Sequence, residues 1–503
     1  MKENFKVFGR SLCILLAAAV FLCSCSLPGA LPTPTPTPDR TAEPLPSLTP
    51  TLTPTPTETP VPEYLSVVPD ALNGEKIVLR YSLDGKVRDT LEDLITRFNS
   101  ENSFGITVQA APAYSMEELS SFIDGTAPEQ TDLVIADSAW LRSHGSSDAF
   151  TRLGDFMNDP DLSFENGDIS PIMPVMLEEE DQDGEFYALP LWAEPAFLFY
   201  NKTWAIELGF EETPADLAAF AEQACAAGKA SYSEKDEGKH GTGGWIISSD
   251  PEDVMSWLLI FAGAGQTPGG ILRSENGDVF SDTAAWLRNL YDNGCAWISR
   301  VKEPYDYFAN RYALFYSGTY ADAERQYNAF EQSSEHGFDN WDLIVYPGRT
   351  AGKKSDPRIY GNIVSAALLN GSSEAMNASW HFLRWLYADQ HAAELALSAG
   401  GWPVQDNDAV TKMYRNSGQD KLYQTLSHRQ YLVNNDADEN WLTDQLILSD
   451  GFAYIFNPSV NAEGIAGIWD QIGSSIAEVS AVSSTIEIDK EETIIIPGGN
   501  DEQ

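Results

Sequence analysis

The run LPLWAEPAFLFYNKTW, Leu189 to Trp204, is almost wholly apolar or aromatic and carries a single acid, Glu194, between Trp192 and Pro195. Such a carboxyl can exchange a proton beside a reacting bond, accept hydrogen bonds from a ligand, or stand as a charge the fold tolerates. The first role needs a partner. Glycoside hydrolysis uses two carboxyl groups flanking a sugar bond, and among 75 Asp and Glu residues some pair is always at hand. However, no eightfold strand and helix alternation is present, so a barrel hydrolase lacks its frame. The chain also lacks GxSxG, HExxH and a phosphate-cradling loop. In EEDQDGEFYALP, Glu179, Asp181, Asp183 and Gly184 mimic a calcium loop, but the twelfth position is Pro190 instead of a bidentate Glu. The segment reads as an exposed acidic loop, and no cofactor or metal is expected.

The elements that must position Glu194 follow from periodicity. KIVLRY, Lys76 to Tyr81, alternates as a strand, and Val87, Leu91, Leu94, Ile95 and Phe98 recur at helical spacing. GITVQAA is a second strand, so strand, helix, strand implies a parallel pair with a crossover helix. SMEELSSFIDG is a helix, and Leu133 to Ala136 form a short buried strand. Beyond Glu194, TPADLAAFAEQACAAG is a helix with a Thr cap and Pro in its first turn, and PEDVMSWLLIFAGAG is an apolar helix ending in glycines. SENGDVFSD carries an Asn-Gly hairpin signal, followed by the helix DTAAWLRNLYDNG. Trp341 to Gly348 and Ile359 to Asn370 are strands, and Asn377 to Gly400 is one long amphipathic helix. Trp257, Trp286, Trp297, Trp380 and Trp385 fall on helix patterns and read as packing residues.

The chain begins with a basic flank, Lys2, Lys6 and Arg10, and an apolar run, Leu12 to Cys23, which together form an export signal. LCSC, Leu22 to Cys25, resembles the lipobox of bacterial lipoproteins, so residues 1–24 are expected to be removed and Cys25 to carry lipid. A Pro/Thr tract follows, and residues 25–73 read as a stalk. At about 3.1 Å per residue, about 35 such residues would reach roughly 100 Å. No later stretch is long and apolar enough to span a bilayer. More than 400 residues of body exceed one comfortable core, so two lobes are expected. A formal net charge of -44 argues against nucleic acid and anionic membrane surfaces as partners and suits an uncharged or cationic ligand. Cys225 and Cys295 are compatible with a disulfide, which export permits, and equally with two buried thiols.

In order, IVLRYSLDG, TDLVIADSAW, GEFYALPLWAEPAFLFYNKTW, YALFYSGTYAD, WDLIVYPG, IYGNIVSAAL and SWHFLRWLYADQ to GGWPV resemble the sugar-binding group of extracellular solute-binding proteins of ABC importers, the maltodextrin-binding type. The resemblance implies an α/β, two-lobed periplasmic-binding-protein-like fold with a hinge and an interlobe cleft. It places one crossing at Trp192 to Pro195, a second near Tyr360 to Ile363 and a third after GGWPVQ. Lobe 1 would hold residues 74–193 and 364–420, lobe 2 residues 194–363 and 421–482, and residues 483–503 would form a tail.

A sugar presents apolar faces and rim hydroxyls, which aromatic rings and carboxylates or amides recognise. By resemblance, lobe 1 would offer Ser82, Asp84, Asp137, Ser138 and Trp140, which follow strand ends where ligands collect. The hinge and lobe 2 would offer Trp192, Glu194, Tyr320, Asp322, Gly361, Asn362 and Trp402; Tyr320 stands where relatives often carry Trp. Tyr200 and Asn201 read as structural. The resemblance implies a non-enzymatic receptor, lipid-anchored on the outer face of a bacterial cell membrane, delivering a sugar or oligosaccharide to permease subunits. The alternative is a glycoside hydrolase or other extracellular carbohydrate-active surface protein.

Overall fold

The computed structural model describes residues 62–491, apart from 145–148, 165–168, 179, 183, 235–236, 264–265, 273–276, 302, 350–357, 418–429 and 433–439. The export signal, Cys25, the Pro/Thr tract up to residue 61 and residues 492–503 lie outside this description.

One long strand organises the body. β1 (Lys76–Tyr81), β2 (Thr107–Pro112), β3 (Leu133–Asp137) and β4 (Ala188–Asn201) are followed by β5 (Trp245–Ile247), β6 (Ala296–Ile298), β7 (Phe315–Thr319) and β8 (Trp341–Ile344). β9 (Arg358–Leu368), β10 (Trp402–Pro403) and β11 (Gln430–Leu432) complete the set, and the hydrogen-bonded order is β2-β1-β3-β9-β4-β7-β5-β6. The first half of β4 pairs with β9, from Ala188 to Pro195, and the second half with β7, from Ala196 to Tyr200. Both pairings are antiparallel, whereas β1 with β2 and β3, and β5 with β6 and β7, are parallel. At 14 residues β4 is long enough to serve both groups.

The side chains sort the same way. One core joins Leu79, Leu94, Phe98, Ile135, Leu191, Phe382 and Tyr414; another joins Leu198, Phe220, Trp257, Leu287, Phe315, Trp441 and Phe452. The helix Gly85–Glu101 buries Leu91, Leu94, Ile95 and Phe98, as its spacing requires, and Asn99 exchanges two hydrogen bonds with Val108 of β2, at 2.8 and 2.9 Å. Tyr414 packs in the first core and Trp441 in the second, so the chain returns between them, across segments outside the described residues. The cysteines pair: Cys225, on the helix Leu217–Ser233, is bonded to Cys295 just ahead of β6.

Five local expectations are corrected. The helix after TPAD starts at Leu217 and is capped by Asp216, which accepts from the Ala218 and Ala219 amides, because Ala215 and Leu217 are drawn into backbone bonds with Gly348. Gly277 opens the helix Gly277–Asp292 instead of a hairpin; a Cβ there would lie 2.8 Å from the Trp469 indole, so the glycine serves close packing. The helix expected over 377–400 is two, Ser373–Tyr387 and His391–Ala399, broken where Asp389 and Gln390 take φ of 46° and 65°. The break lets His391 stack on Trp385 and bond its carbonyl oxygen. Residues from Glu63 onward belong to the body and not to the stalk: Leu72 is buried, and Asn377 donates to the Tyr64 carbonyl oxygen. The last helix, Ala462–Glu491, runs on past residue 482.

Candidate functional site

The floor of the site is where β4 and β9 run side by side. Asn362 pairs in register with Glu194, and Gly361 with Pro195, so Glu194 and Asn362 project from one face of the sheet. A Cβ on Gly361 would fall 2.7 Å from the Glu194 carbonyl oxygen and from Pro195 Cα, so this approach needs glycine. Trp192 Nε1 donates to Glu194 Oε1 at 2.8 Å and fixes that carboxyl. Asn362 Nδ2 donates to Glu252 Oε1 at 2.9 Å, tying β9 to the helix Pro251–Ala262 that follows β5. The glycines of GGWPV pack behind this floor: a Cβ on Gly401 would lie 2.6 Å from the Trp192 ring, and one on Gly400 2.7 Å from Ala321.

The site is electrostatically strained. Burial pushes the Glu194 carboxyl above the ordinary carboxylate range, the Trp192 bond partly offsets this, and the charges of Asp137 and Glu252 raise it further. Asp137, at the end of β3, is pushed up to about 6 by burial, against the pull of the Trp140 amide and the Arg142 charge. Asp253, next to Glu252, is pushed up to about 7, again by burial, although Tyr346 donates to it at 2.6 Å. Carboxylates from the β3 end, the β4 crossing and the helix after β5 therefore converge on one place. A pocket continues from it along the β5 to β7 strand ends, lined in part by Ala196, Asp250, Glu252, Tyr305, Tyr316 and Asp322.

The residues read from sequence do not all reach this place. Asp137, Glu194 and Asn362 meet there. Ser82 and Asp84 are exposed just past β1, and Asp84 spends no side-chain bond on the helix it precedes. Tyr320 is half-buried against the first core, which pushes its hydroxyl up to about 12. Asp322 lines the pocket but is engaged locally, accepting from the Thr319 amide at 2.8 Å and from the Tyr305 hydroxyl at 2.6 Å. Trp192 offers its N–H to Glu194 while its ring is buried, and Gly361 acts through backbone approach.

Three more of the expected residues are buried in this structure. Trp140 is 2 % exposed and stacks on His144, and Trp402 is 2 % exposed in the first core. Ser138 is fully buried, donating to Glu180 Oε1 at 2.5 Å and accepting from Arg142 at 2.7 Å. Tyr200 and Asn201 are structural as read: Tyr200 donates to Gln223, and Asn201 caps the helix Lys202–Glu207.

Sequence reasoning missed Glu252, Asp250, Tyr305 and Tyr316. PED reads as the opening of an apolar helix, yet in the structure it follows the end of β5, and acids in that position face a cleft as readily as they cap a helix. Tyr305 and Tyr316 carry no spacing signal.

No curated protein sequence matches the chain. Solved structures match its fold: the sugar-binding protein MalE of Xanthomonas citri at 15% identity and TM-score 0.62, over 81% of this chain and 99% of that one. The cyclic alpha-maltosyl-1,6-maltose binding protein of Arthrobacter globiformis matches at 14% and 0.60, over 80% and 98%. An ABC transporter solute-binding protein of Agrobacterium radiobacter in complex with ribitol matches at 15% and 0.59, over 81% and 99%. These likenesses give the two-lobed α/β binding-protein fold. The profile of the bacterial extracellular solute-binding proteins covers residues 93–418, well over half of the sequence, and the chain belongs to that family.

Proposed function

We propose that this protein is the lipid-anchored receptor of an ABC importer, which closes two lobes around a saccharide and presents it to the permease. The carrying observation is the convergence of Asp137, Glu194 and Glu252, with Asn362, from separate parts of the fold onto one floor. Taken as lobes, residues from Glu63 to the β4 crossing and from the end of β9 to about Asn416 would form one, and the remainder the other. A ligand touching Asp137 and Glu252 together favours the state in which they are close, which is how ligand contact drives closure. The sugars and the sugar alcohol named for the structural neighbours support a polyhydroxylated ligand. Cys25 as the anchor rests on the lipobox resemblance.

The test is a thermal-shift screen of the purified body against mono- and oligosaccharides, since a ligand bound only to the folded state raises the midpoint. A hit should weaken about tenfold or more in Glu194→Gln, the carboxylate being a charged hydrogen-bond acceptor. Undiminished affinity in that variant would return Glu194 to a tolerated charge, and release of shortened sugars would favour the hydrolase.

A further inference from the structure

The pocket that leaves the floor along the second group of strand ends has a one-sided chemistry. Asp250 precedes the helix Pro251–Ala262 without making a side-chain capping bond, and Glu252 gives only one oxygen, Oε1, to Asn362. Tyr316 lines the same pocket; it is 1 % exposed, and its buried hydroxyl has no hydrogen-bond partner among the described residues. An unpartnered buried hydroxyl is costly unless something fills its bonding capacity. Tyr305 adds a second ring, with its hydroxyl held by Asp322. Of the arginines nearby, Arg325, largely exposed, pairs with Glu303 at 3.5 Å and donates to the Tyr305 hydroxyl, Arg142 donates to Ser138, and Arg300 lines the adjoining cavity with Asp250 and Tyr316. Among the residues lining the pocket, Asp250, Glu252, Asp253, Glu303 and Asp322 outnumber Arg325 even with Arg300 close by, and the Tyr316 hydroxyl stands unpartnered.

A neutral sugar hydroxyl donates one hydrogen bond and leaves the accumulated charge where it is. An ammonium group has three donors and no acceptor, neutralises a carboxylate, and is attracted to aromatic faces. We propose that the solute carries a free amine, an amino-saccharide being the class that fits, with its ammonium group bound in the pocket formed by Asp250, Glu252 and Tyr316. This deepens the saccharide-receptor reading above and rests on it for the sugar part alone.

The experiment is calorimetric titration of the intact body with the glucosamine disaccharide and with its N,N′-diacetyl counterpart, which has the same ring frame without the charge. Spermidine serves as a cation that is not a sugar. The free-amine disaccharide should bind at least about tenfold more tightly than the diacetyl form, and lose affinity as salt is raised. Tyr316→Phe, which keeps the ring, should cost about fivefold, and Glu252→Gln about tenfold or more, with unfolding midpoints confirming that both variants fold. Equal or tighter binding of the diacetyl form overturns the amine while sparing the saccharide reading. Binding of spermidine but neither sugar keeps the amine and overturns the saccharide. Binding of none of the three overturns the amine.

Discussion

At the scale of single residues, the site stores carboxylates that hold their protons longer than carboxylates usually do. Asp137 is raised to about 6 and Asp253 to about 7 from an ordinary 3.8. A carboxyl raised in the folded state means that the folded chain binds more protons than the unfolded one between those values, so folding is favoured on acidification and loses that gain as pH rises. Stability of the ligand-free body should therefore increase from pH 7 down toward pH 4, by up to about 1.4 kcal/mol per pH unit for each proton taken up. Urea unfolding midpoints across that range provide the measurement; Asp253→Asn should flatten the slope, and a midpoint that falls steadily on acidification contradicts the assignment. Residue by residue, legibility followed chemistry. Glu194 stood out because an acid in an apolar run has to be accounted for, whereas Asn362 was reached only through the family resemblance. Glu252 did not, because acids in a first helical turn are commonplace. The burial of Trp140 and Trp402 was not legible, because an aromatic after a strand end or a glycine pair looks alike whether its ring faces a cleft or a core.

At the scale of elements, the apolar run from Leu189 was legible as a continuous strand, which the structure extends to 14 residues, while its reading as a crossing between lobes came from the family resemblance alone. The helix break at Asp389 and Gln390 was not, since neither residue type announces a left-handed backbone, and tertiary stacking of His391 on Trp385 decides it. The Asn-Gly signal at 276–277 lost to the Trp469 contact. The Cys225–Cys295 bond closes a loop of 70 residues within the second core group. In the chain-entropy view a loop of that size is worth about 4 kcal/mol. Its neighbours are packed without slack: a Cβ on Gly244 would lie 1.8 Å from the Cys295 carbonyl oxygen. Cys225→Ser/Cys295→Ser, or reduction with dithiothreitol, should lower the unfolding midpoint while leaving saccharide affinity within about twofold, because neither cysteine lines the pocket. An unchanged midpoint under reduction would show that the bond adds nothing to stability.

At the scale of the whole molecule, one parallel unit, strand, helix, strand over residues 76–112, was legible in the sequence, whereas Trp245–Ile247 and Ala296–Ile298 are too short to show a period and Trp297 read as helical. The distribution of the two cores was less so, because it depends on which half of β4 and β9 each helix covers. The mechanism requires the two groups of elements to approach on binding. Small-angle scattering with and without a saturating hit from the screen should show a smaller radius of gyration in the bound form; an unchanged profile with a saturating ligand would contradict closure. One more property follows from the way the chain enters the body. The short turns Glu63–Ser66 and Pro69–Leu72 are clamped to the first core by Tyr64 and Asn377. Under the proposed anchoring the leash is thus fastened to one jaw only. If the proposed closure holds, that jaw would be the stator and the other the moving part, so the anchor would take up none of the closing stroke and release to a permease would not require the receptor to let go of its membrane.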